Sequence, residues 1–461
     1  MLEKFLNIFR IPDLRRRVVF TLAILAVYRL GAFIPTPGVN GHQLEQMFNS
    51  QAGSMLGLAD LFGGGNLRRM TIFALGIMPY ITASIIFQLL TVVYEPLARI
   101  QKEGELGRRK ITQWTRYMTV VLAALQAIGI ATILTKQNLV LHPGPGFVLM
   151  TVLTLTTGTA FIMWLGEQIT DRGIGNGMSL LIFTGIVAGM PNAVQDLLRK
   201  IQTSAWGTFT PVAVLLLLAA MVAVVAFIVF VERSERRIPI QTARRVVGRR
   251  MMGGQSSRLP LKVNAGGVMP VIFASSILSV PSLMGQADLV QNNRFLRPLF
   301  DGMRPGEPGY ELLYVLGIIF FAYFYISIVM RPDDIADQFR KSGSFIPGIR
   351  PGKRTSDYIN DILTRITLVG ALYLIIISLV PTILISGIRL DHLPLIGFIF
   401  ERMPLFMTHG LGVNFYFGGT SLLIVVGVAM DTVSQIESQL VMRHYDGFSP
   451  RSGGIRGRKT W

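Results

Sequence analysis

Long apolar runs recur along most of the chain, separated by shorter polar segments. A helix that crosses a bilayer needs about 20 mainly apolar residues. Ten runs reach or approach that length, and we number them spans 1 to 10 in chain order: residues 18–34, 70–93, 117–134, 147–165, 178–190, 212–231, 263–284, 312–330, 366–388 and 413–430. The pattern predicts an all-α polytopic membrane protein with ten transmembrane helices.

Three of these regions carry helix-breaking residues. Span 5 is short because Pro191 follows its apolar run, although residues 192–198 would extend it if the helix continued. Span 2 contains Pro79, which predicts a break about one third of the way along. Helices broken at membrane depth normally line a cavity or pack inside protein, so span 2 is a candidate pore or gate element. The glycine-rich residues 173–177 lack the spacing of a dinucleotide fingerprint and predict a turn between spans 4 and 5.

Composition and charge support a membrane protein and suggest its orientation. The chain is 51% hydrophobic and only 15% charged, which excludes an ordinary soluble protein, where about a quarter of residues are charged. The net charge is +18, and 33 of the 44 Lys and Arg residues lie on the side of the membrane that holds both termini. The positive-inside rule therefore predicts cytoplasmic termini.

Two long cytoplasmic loops, residues 232–262 and 331–361, concentrate this charge. The first contains nine Lys and Arg residues. Such loops serve insertion topology, bind anionic lipid or dock onto a large anionic partner such as RNA. Because topology requires only a few positive charges, the density favours a docking partner.

The spans contain almost no ionisable side chains. Arg29 is the exception, and it lies near the outer end of span 1, where a long side chain reaches the headgroups and serves as an interface anchor. Ion-coupled transporters and intramembrane enzymes use ionisable groups within the bilayer, so both are disfavoured. The chain has no cysteine, and no two of its five histidines lie at ligand spacing, so we expect no metal site and no cofactor.

A short amphipathic segment, residues 55–62, precedes span 2 and is followed by three glycines at 63–65. It is too short to cross a bilayer. The residues alone leave two placements equally open: flat on the outer surface, or folded back between the spans.

Several long strings in the sequence resemble the SecY family, the channel-forming subunits of the bacterial protein translocase. They are residues 73–86, 102–110, 164–177, 259–264, 345–352 and 415–423. The resemblance covers essentially every span. It implies two pseudo-symmetric five-helix halves around a central pore: residues 1–200, with spans 1–5 and a re-entrant plug helix at about 55–68, and residues 201–440, with spans 6–10 and both basic loops. Residues 441–461 would form a cytoplasmic tail.

The resemblance also implies the functional residues. An apolar pore ring would consist of Ile77, Ile81, Met178, Ile182, Ile272 and Ile424, with Met178 replacing the usual isoleucine. The plug would include Met55, Leu58, Leu61, Phe62 and Gly64, which favours the inward placement. A lateral gate between spans 2 and 7 would use Thr82, Ser84, Gln88, Asn264 and Val280, with simple helix packing as the alternative role. Docking would involve Arg236, Arg237, Arg244 and Arg350.

The expected function is a passive protein-conducting channel in the bacterial cytoplasmic (inner) membrane, not an enzyme. It would pass unfolded secretory polypeptides across the membrane and release membrane segments laterally into lipid. An apolar ring excludes water and ions without binding any one side chain strongly. The implied partners are small membrane subunits like SecE and SecG, a SecA-like motor ATPase, the ribosome through its rRNA, signal sequences, nascent polypeptides and membrane lipid. A secondary transporter of a small solute and a receptor that only holds ribosomes remain the alternatives.

Overall fold

The computed structural model describes residues 11–41, 43–44, 46, 63–203, 210–242, 245–247, 250–252, 256–284, 300, 302, 308–386 and 419–446. Within the N-terminal part of these residues the helices are α1 (Pro12–Gly31), α2 (Met78–Val93), α3 (Glu95–Lys102), α4 (Glu105–Lys136), α5 (Pro145–Arg172) and α6 (Gly177–Gln202).

The C-terminal part adds α7 (Thr210–Arg233), the strands β1 (Glu235–Thr242), β2 (Arg245–Val247), β3 (Arg250–Met252) and β4 (Ser256–Lys262), then α8 (Met269–Met284), α9 (Pro308–Val329), α10 (Pro332–Ser342), β5 (Ser344–Phe345), α11 (Lys353–Ser386) and α12 (Gly419–Asp446).

Each of the ten predicted spans overlaps one long helix: α1, α2, α4, α5, α6, α7, α8, α9, α11 and α12. Within the described ranges, five helices are long and apolar enough to cross a membrane on their own, or six if α2 and α3, which meet at a 99° bend, count as one span. Several helices also run past the apolar segment, since α4 begins at Glu105 and α12 ends at Asp446.

The predicted break at Pro79 is corrected by the structure. Helix α2 begins at Met78, so Pro79 lies in its first turn, where the missing N–H and the fixed φ of proline cost nothing. Residues 70–77 before it form turns, and their side chains, including Met70 and Phe73, are mostly buried. Irregular backbone at membrane depth requires such cover by protein.

The turn predicted between spans 4 and 5 is confirmed, and so is the extension of span 5. Helix α5 ends at Arg172 and α6 begins at Gly177. The side chain of Asn176 caps α6 by accepting hydrogen bonds from the backbone N–H groups of Met178 (3.1 Å) and Ser179 (3.5 Å). Helix α6 continues through Pro191 to Gln202.

The basic loops contain a small β-sheet, which the sequence analysis did not predict. Strand β1 pairs antiparallel with β4 on one side and with β5 on the other. Apolar residues beneath this sheet pack on the base of α11 and form a separate cluster: Ile238, Leu261, Ile346, Ile359, Ile362, Leu363 and Ile366. The loops are therefore anchored to the helical body by their own core.

The main core, which we call the central cluster, draws buried residues from nine helices. It includes Ile24 (α1), Ile81 (α2), Leu165 (α5), Ile182 (α6), Ile228 (α7), Ile272 (α8), Ile318 (α9), Leu374 (α11) and Ile424 (α12). Helices from both sides of residue 200 thus share one apolar centre. Helix α4 instead packs in a second cluster that covers residues 67–75 of the irregular segment.

Candidate functional site

The six predicted ring residues all lie in or against the central cluster: Ile77, Ile81, Met178, Ile182, Ile272 and Ile424. The five isoleucines are buried, and Met178 is partly buried. The ring residues come from the start of α2 and from α6, α8 and α12. Helices α2 and α6 contribute ring residues from before residue 200, and α8 and α12 from after it, so the predicted ring stands where the two parts of the chain meet.

Met178 differs from the other ring candidates in its surroundings. A Cβ atom at Gly166 would lie 2.5 Å from Sδ of Met178, so this thioether packs closely on α5. Ile186, one turn beyond Ile182 on α6, is 4% exposed and belongs to the central cluster. The spacing of Ile182 and Ile186 repeats that of the ring pair on α2. That repeat was the signal in the sequence that could have identified Ile186.

The glycines of the predicted plug, which we call the hinge glycines (residues 63–65), lie beside ring residues. Met55, Leu58, Leu61 and Phe62 fall outside the described residues, whereas Gly63 and Gly64 are described. A Cβ atom at Gly64 would lie 2.6 Å from Cα and O of Gly185 in α6, and a Cβ atom at Gly76 would lie 3.8 Å from Cα of Gly63. Gly76 and Gly185 immediately precede Ile77 and Ile186. The hinge glycines therefore lie between α2 and α6, which supports the inward placement.

A pair of short segments, residues 34–36 and 70–72, forms an antiparallel bridge that ties the segment after glycines 63–65 to the end of α1. We call this pair the outer strap. The N–H of Thr36 donates to the carbonyl of Met70 (2.7 Å), and the N–H of Ile72 donates to the carbonyl of Ile34 (3.0 Å). Met70 has φ +45° and is 1% exposed. The strap fixes where the segment that follows the hinge glycines lies relative to the end of span 1.

Helices α2 and α8 touch each other, as a lateral gate between spans 2 and 7 requires. The Oγ of Ser276 donates to Sδ of Met78 at 3.9 Å. Thr82, one turn beyond Met78, is buried, and its hydroxyl donates to the carbonyl of Met78 (3.0 Å). Val280 lies one turn beyond Ser276 in α8, with its side chain outside the described residues. Helices α2 and α8 are therefore in contact at Met78 and Ser276.

Ser84 and Gln88 face a different neighbour. Nε2 of Gln88 donates to Oγ of Ser84 (3.2 Å), and both side chains line a cavity of about 170 Å³ together with Thr112 and Thr115 of α4. Seen down the helix at about 100° per residue, Ser84 lies about 120° and Gln88 about 80° around α2 from Met78, on the side that meets α4. Their place in the structure is therefore the interface of spans 2 and 3.

Asn264 joins span 6 to the start of span 7. Its Nδ2 donates to Oε1 of Glu232 (2.6 Å) and to the carbonyl of Gly267 (3.1 Å). Burial raises the pKa of the Glu232 carboxyl above its ordinary value; the hydrogen bond from Asn264 opposes that rise, nearby Asp431 adds to it, and Lys262 lowers it. This buried pair sits where the basic sheet meets the membrane helices.

The three docking candidates that the structure describes, Arg236, Arg237 and Arg350, are exposed but do not share one surface. Successive side chains of a strand point to opposite faces, so Arg236 lies on the face of buried Ile238, and Arg237 on the other. Pro239 pairs with Arg258 in the register, which places Arg258 on the face of Arg237. Arg350 is exposed beyond β5, whereas Arg244 lies outside the described residues. Arg258 is therefore a further docking candidate, which charge and loop position alone did not identify.

Comparison with known proteins places the chain in a family. The family model described as SecY matches residues 71–433. Proteins named protein translocase subunit SecY from Haemophilus influenzae and Escherichia coli are each 47% identical to it, over 94% of this chain and 93% of theirs.

Solved structures agree on the fold. A protein-conducting channel aligns with a TM-score of 0.64 at 16% identity, and Sec61 from a canine ribosome-channel complex aligns with a TM-score of 0.60 at 15% identity. Each match covers 95% of both chains. The helical architecture around a shared apolar centre is therefore that of these channels, and the chain belongs to the SecY family of protein translocase subunits.

Proposed function

We propose that the chain is a channel with an apolar constriction. The side chains that form it are Ile77, Ile81, Ile182, Ile272 and Ile424, together with Ile186 as a second residue from α6. The observation that carries this is the position of the ring residues: buried apolar side chains of four helices meet in one cluster, and the hinge glycines of the plug lie beside ring residues. Such a ring excludes water and ions yet holds no polypeptide side chain strongly. The driving force then comes from a partner.

We propose further that membrane segments leave the pore between α2 and α8. The contact between Met78 and Ser276 is a weak sulfur-hydroxyl interaction, and it is surrounded by apolar packing. In the membrane, two apolar helix faces gain little by associating, because lipid tails are as apolar as the faces themselves. An apolar signal sequence can therefore separate these helices at low cost.

The experiment that tests this proposal is a disulfide across the gate. The chain contains no cysteine, so Met78→Cys with Ser276→Cys introduces one unique pair where two side chains already touch. After oxidation we expect signal-sequence-dependent export and membrane insertion to stop, and reduction to restore both. Each single variant, treated with the same oxidant, is the matched control.

Two results would contradict the gate. Full export by the oxidised double variant would show that α2 and α8 need not separate. Loss of export in a single variant would show that the side chains matter for packing alone. The Ser84 side of α2 offers an additional control, because a change there leaves the contact with α8 in place.

We propose that the exposed face of the cytoplasmic sheet, with Arg237 and Arg258, docks a ribosome or a SecA-like motor ATPase, together with Arg350 beyond β5. The sheet is held rigidly by its own apolar core, and one of the similar solved channels is bound to a ribosome. This assignment rests on the predicted orientation, with both termini in the cytoplasm and the channel in the bacterial inner membrane. Small membrane subunits like SecE and SecG would complete the translocase.

A further inference from the structure

Two arginines converge on one aromatic ring near the predicted outer end of span 1. The guanidinium carbon of Arg29 lies 4.9 Å from the ring centroid of Phe33, and that of Arg69 lies 5.6 Å from the same centroid. Both distances fall within the range of a cation–π interaction. Arg29 belongs to α1, whereas Arg69 belongs to the segment after the plug hinge, so two distant parts of the chain bring their charges together.

The backbone fixes this arrangement. Arg69 directly precedes Met70, whose carbonyl accepts a hydrogen bond from Thr36 in the outer strap and whose side chain is buried. Phe33 directly precedes Ile34, whose carbonyl accepts the second hydrogen bond of the strap, from the N–H of Ile72. The two cations are thus held near each other by the fold, although like charges repel.

Nothing described on the protein neutralises this pair. In the described ranges, neither guanidinium forms an ion pair with a carboxylate, and the titratable groups that act on Arg29 are the cation of Arg69 and the phenol of Tyr28. Insertion topology does not explain the pair either, because the positive-inside rule depletes Lys and Arg on this side of the membrane. An anion from the surroundings is the natural counterpart.

The neighbouring surface, at the last turn of α1 and just beyond it, is apolar and exposed. Leu30 is 70% exposed, Phe33 59% and Ile34 52%. In a membrane such apolar side chains contact acyl chains, while the long arginine side chains reach the headgroup level. The site therefore presents cations and an apolar strip at adjacent depths, an arrangement complementary to the anionic headgroup and the acyl chains of a lipid.

We propose that Arg29 and Arg69 bind the phosphate-bearing headgroup of an anionic phospholipid in the outer leaflet, with its acyl chains along Leu30 and Ile34. The site lies outside the pore and does not depend on the channel function. It places a lipid against the outer strap, whose residues 70–72 follow the hinge glycines of the plug in the sequence.

The test is a titration of the detergent-solubilised protein with phosphatidylglycerol, with phosphatidylcholine as reference and bound lipid counted by native mass spectrometry. For the double variant Arg29→Gln and Arg69→Gln we expect about thirtyfold weaker binding of phosphatidylglycerol, since each cation near a membrane surface contributes about fivefold. Binding of phosphatidylcholine should not change. The matched control, Lys136→Gln with Arg199→Gln, removes two charges from the same predicted side and should change neither affinity.

A second variant keeps the result interpretable if the first folds poorly. Arg29→Lys with Arg69→Lys retains both charges and should keep most of the preference for phosphatidylglycerol. The proposal is overturned if the glutamine variant binds phosphatidylglycerol as the parent does, or if the control loses as much. It is also overturned if inorganic phosphate displaces the lipid at the lipid's own concentration, because the site would then be a simple anion site.

Discussion

The contact between Gly64 and Gly185 offers a direct way to perturb the seal of the pore. Gly64 has φ +70°, and a Cβ atom there would lie 2.6 Å from the backbone of α6. Gly65, its neighbour, has φ +83° and open space where a Cβ atom would stand. Gly64→Ala therefore adds backbone strain and a clash, whereas Gly65→Ala adds strain alone.

The two variants differ by the energy of one contact. An alanine in the left-handed region costs about 1–2 kcal/mol, and both variants bear this cost in the closed and the open channel while φ stays positive. The clash exists only while the hinge lies on α6. Forcing an extra methyl group into a packed site costs about 1–3 kcal/mol, which shifts the ratio of open to closed channels by about 5-fold to about 150-fold.

The assay is the conductance of planar bilayers that contain equal amounts of each variant and no precursor protein. We expect Gly64→Ala to leak ions well above the parent, and Gly65→Ala to leak much less. Equal conductance of the two variants would refute the reasoning, because the contact with α6 would then contribute nothing to closure. Thermal unfolding of both variants shows whether either has simply lost its fold.

Three further predictions follow from the site. Ile186→Ala should raise ion leak more than Met178→Ala in the same bilayer assay, because Ile186 is buried in the central cluster whereas Met178 is partly buried and packs closely on α5. A larger leak in Met178→Ala would show that Met178, rather than Ile186, contributes to the constriction. Burial raises the pKa of Glu232, so the folded protein binds this proton more tightly than the unfolded chain does, and the stability of the fold decreases as pH rises from the ordinary pKa of 4.5 through the raised pKa. Glu232→Gln should therefore flatten that part of the curve of melting temperature against pH. An unchanged curve would contradict the raised pKa of Glu232. Arg237→Ala with Arg258→Ala should lower the salt dependence of ribosome binding by about one unit of log–log slope per lost contact to an rRNA phosphate, and an unchanged slope would place ribosome docking elsewhere.

The sequence predicted the helices well because apolar length is a local property. Each of the ten runs could be counted without knowing what it packs against, and the turn at residues 173–177 follows from glycines and a capping asparagine alone. The start of α2 was harder, since residues 70–77 are as apolar as a helix. They differ from a helix in their backbone, since Met70 and Gly76 have φ values of +45° and +56°.

What the sequence did not yield depends on long-range geometry. Ser84 and Gln88 were assigned to the gate because they lie on span 2, but the rotation of α2 against α4 and α8 decides which neighbour they meet. The sheet was not predicted because arginines dominate residues 232–262, whereas the alternation that marks a strand with one buried face is limited to Ile238 and Ile240. Strand β5, its third member, begins about 100 residues further along the chain.

That separation has a consequence for how the protein is made. Ribosomes add roughly 5–20 residues per second, so β1 waits about 5–20 s for β5 after it has been synthesised, whereas a hairpin such as β1 with β4 closes within microseconds. Gln241 and Thr242 therefore keep an open pairing edge while α8 and α9 are still being inserted. The surface of the basic sheet matures in two stages, and its second stage reports that the eighth span has been synthesised. A channel of this design acquires its complete proposed docking face only after most of its membrane helices have been made.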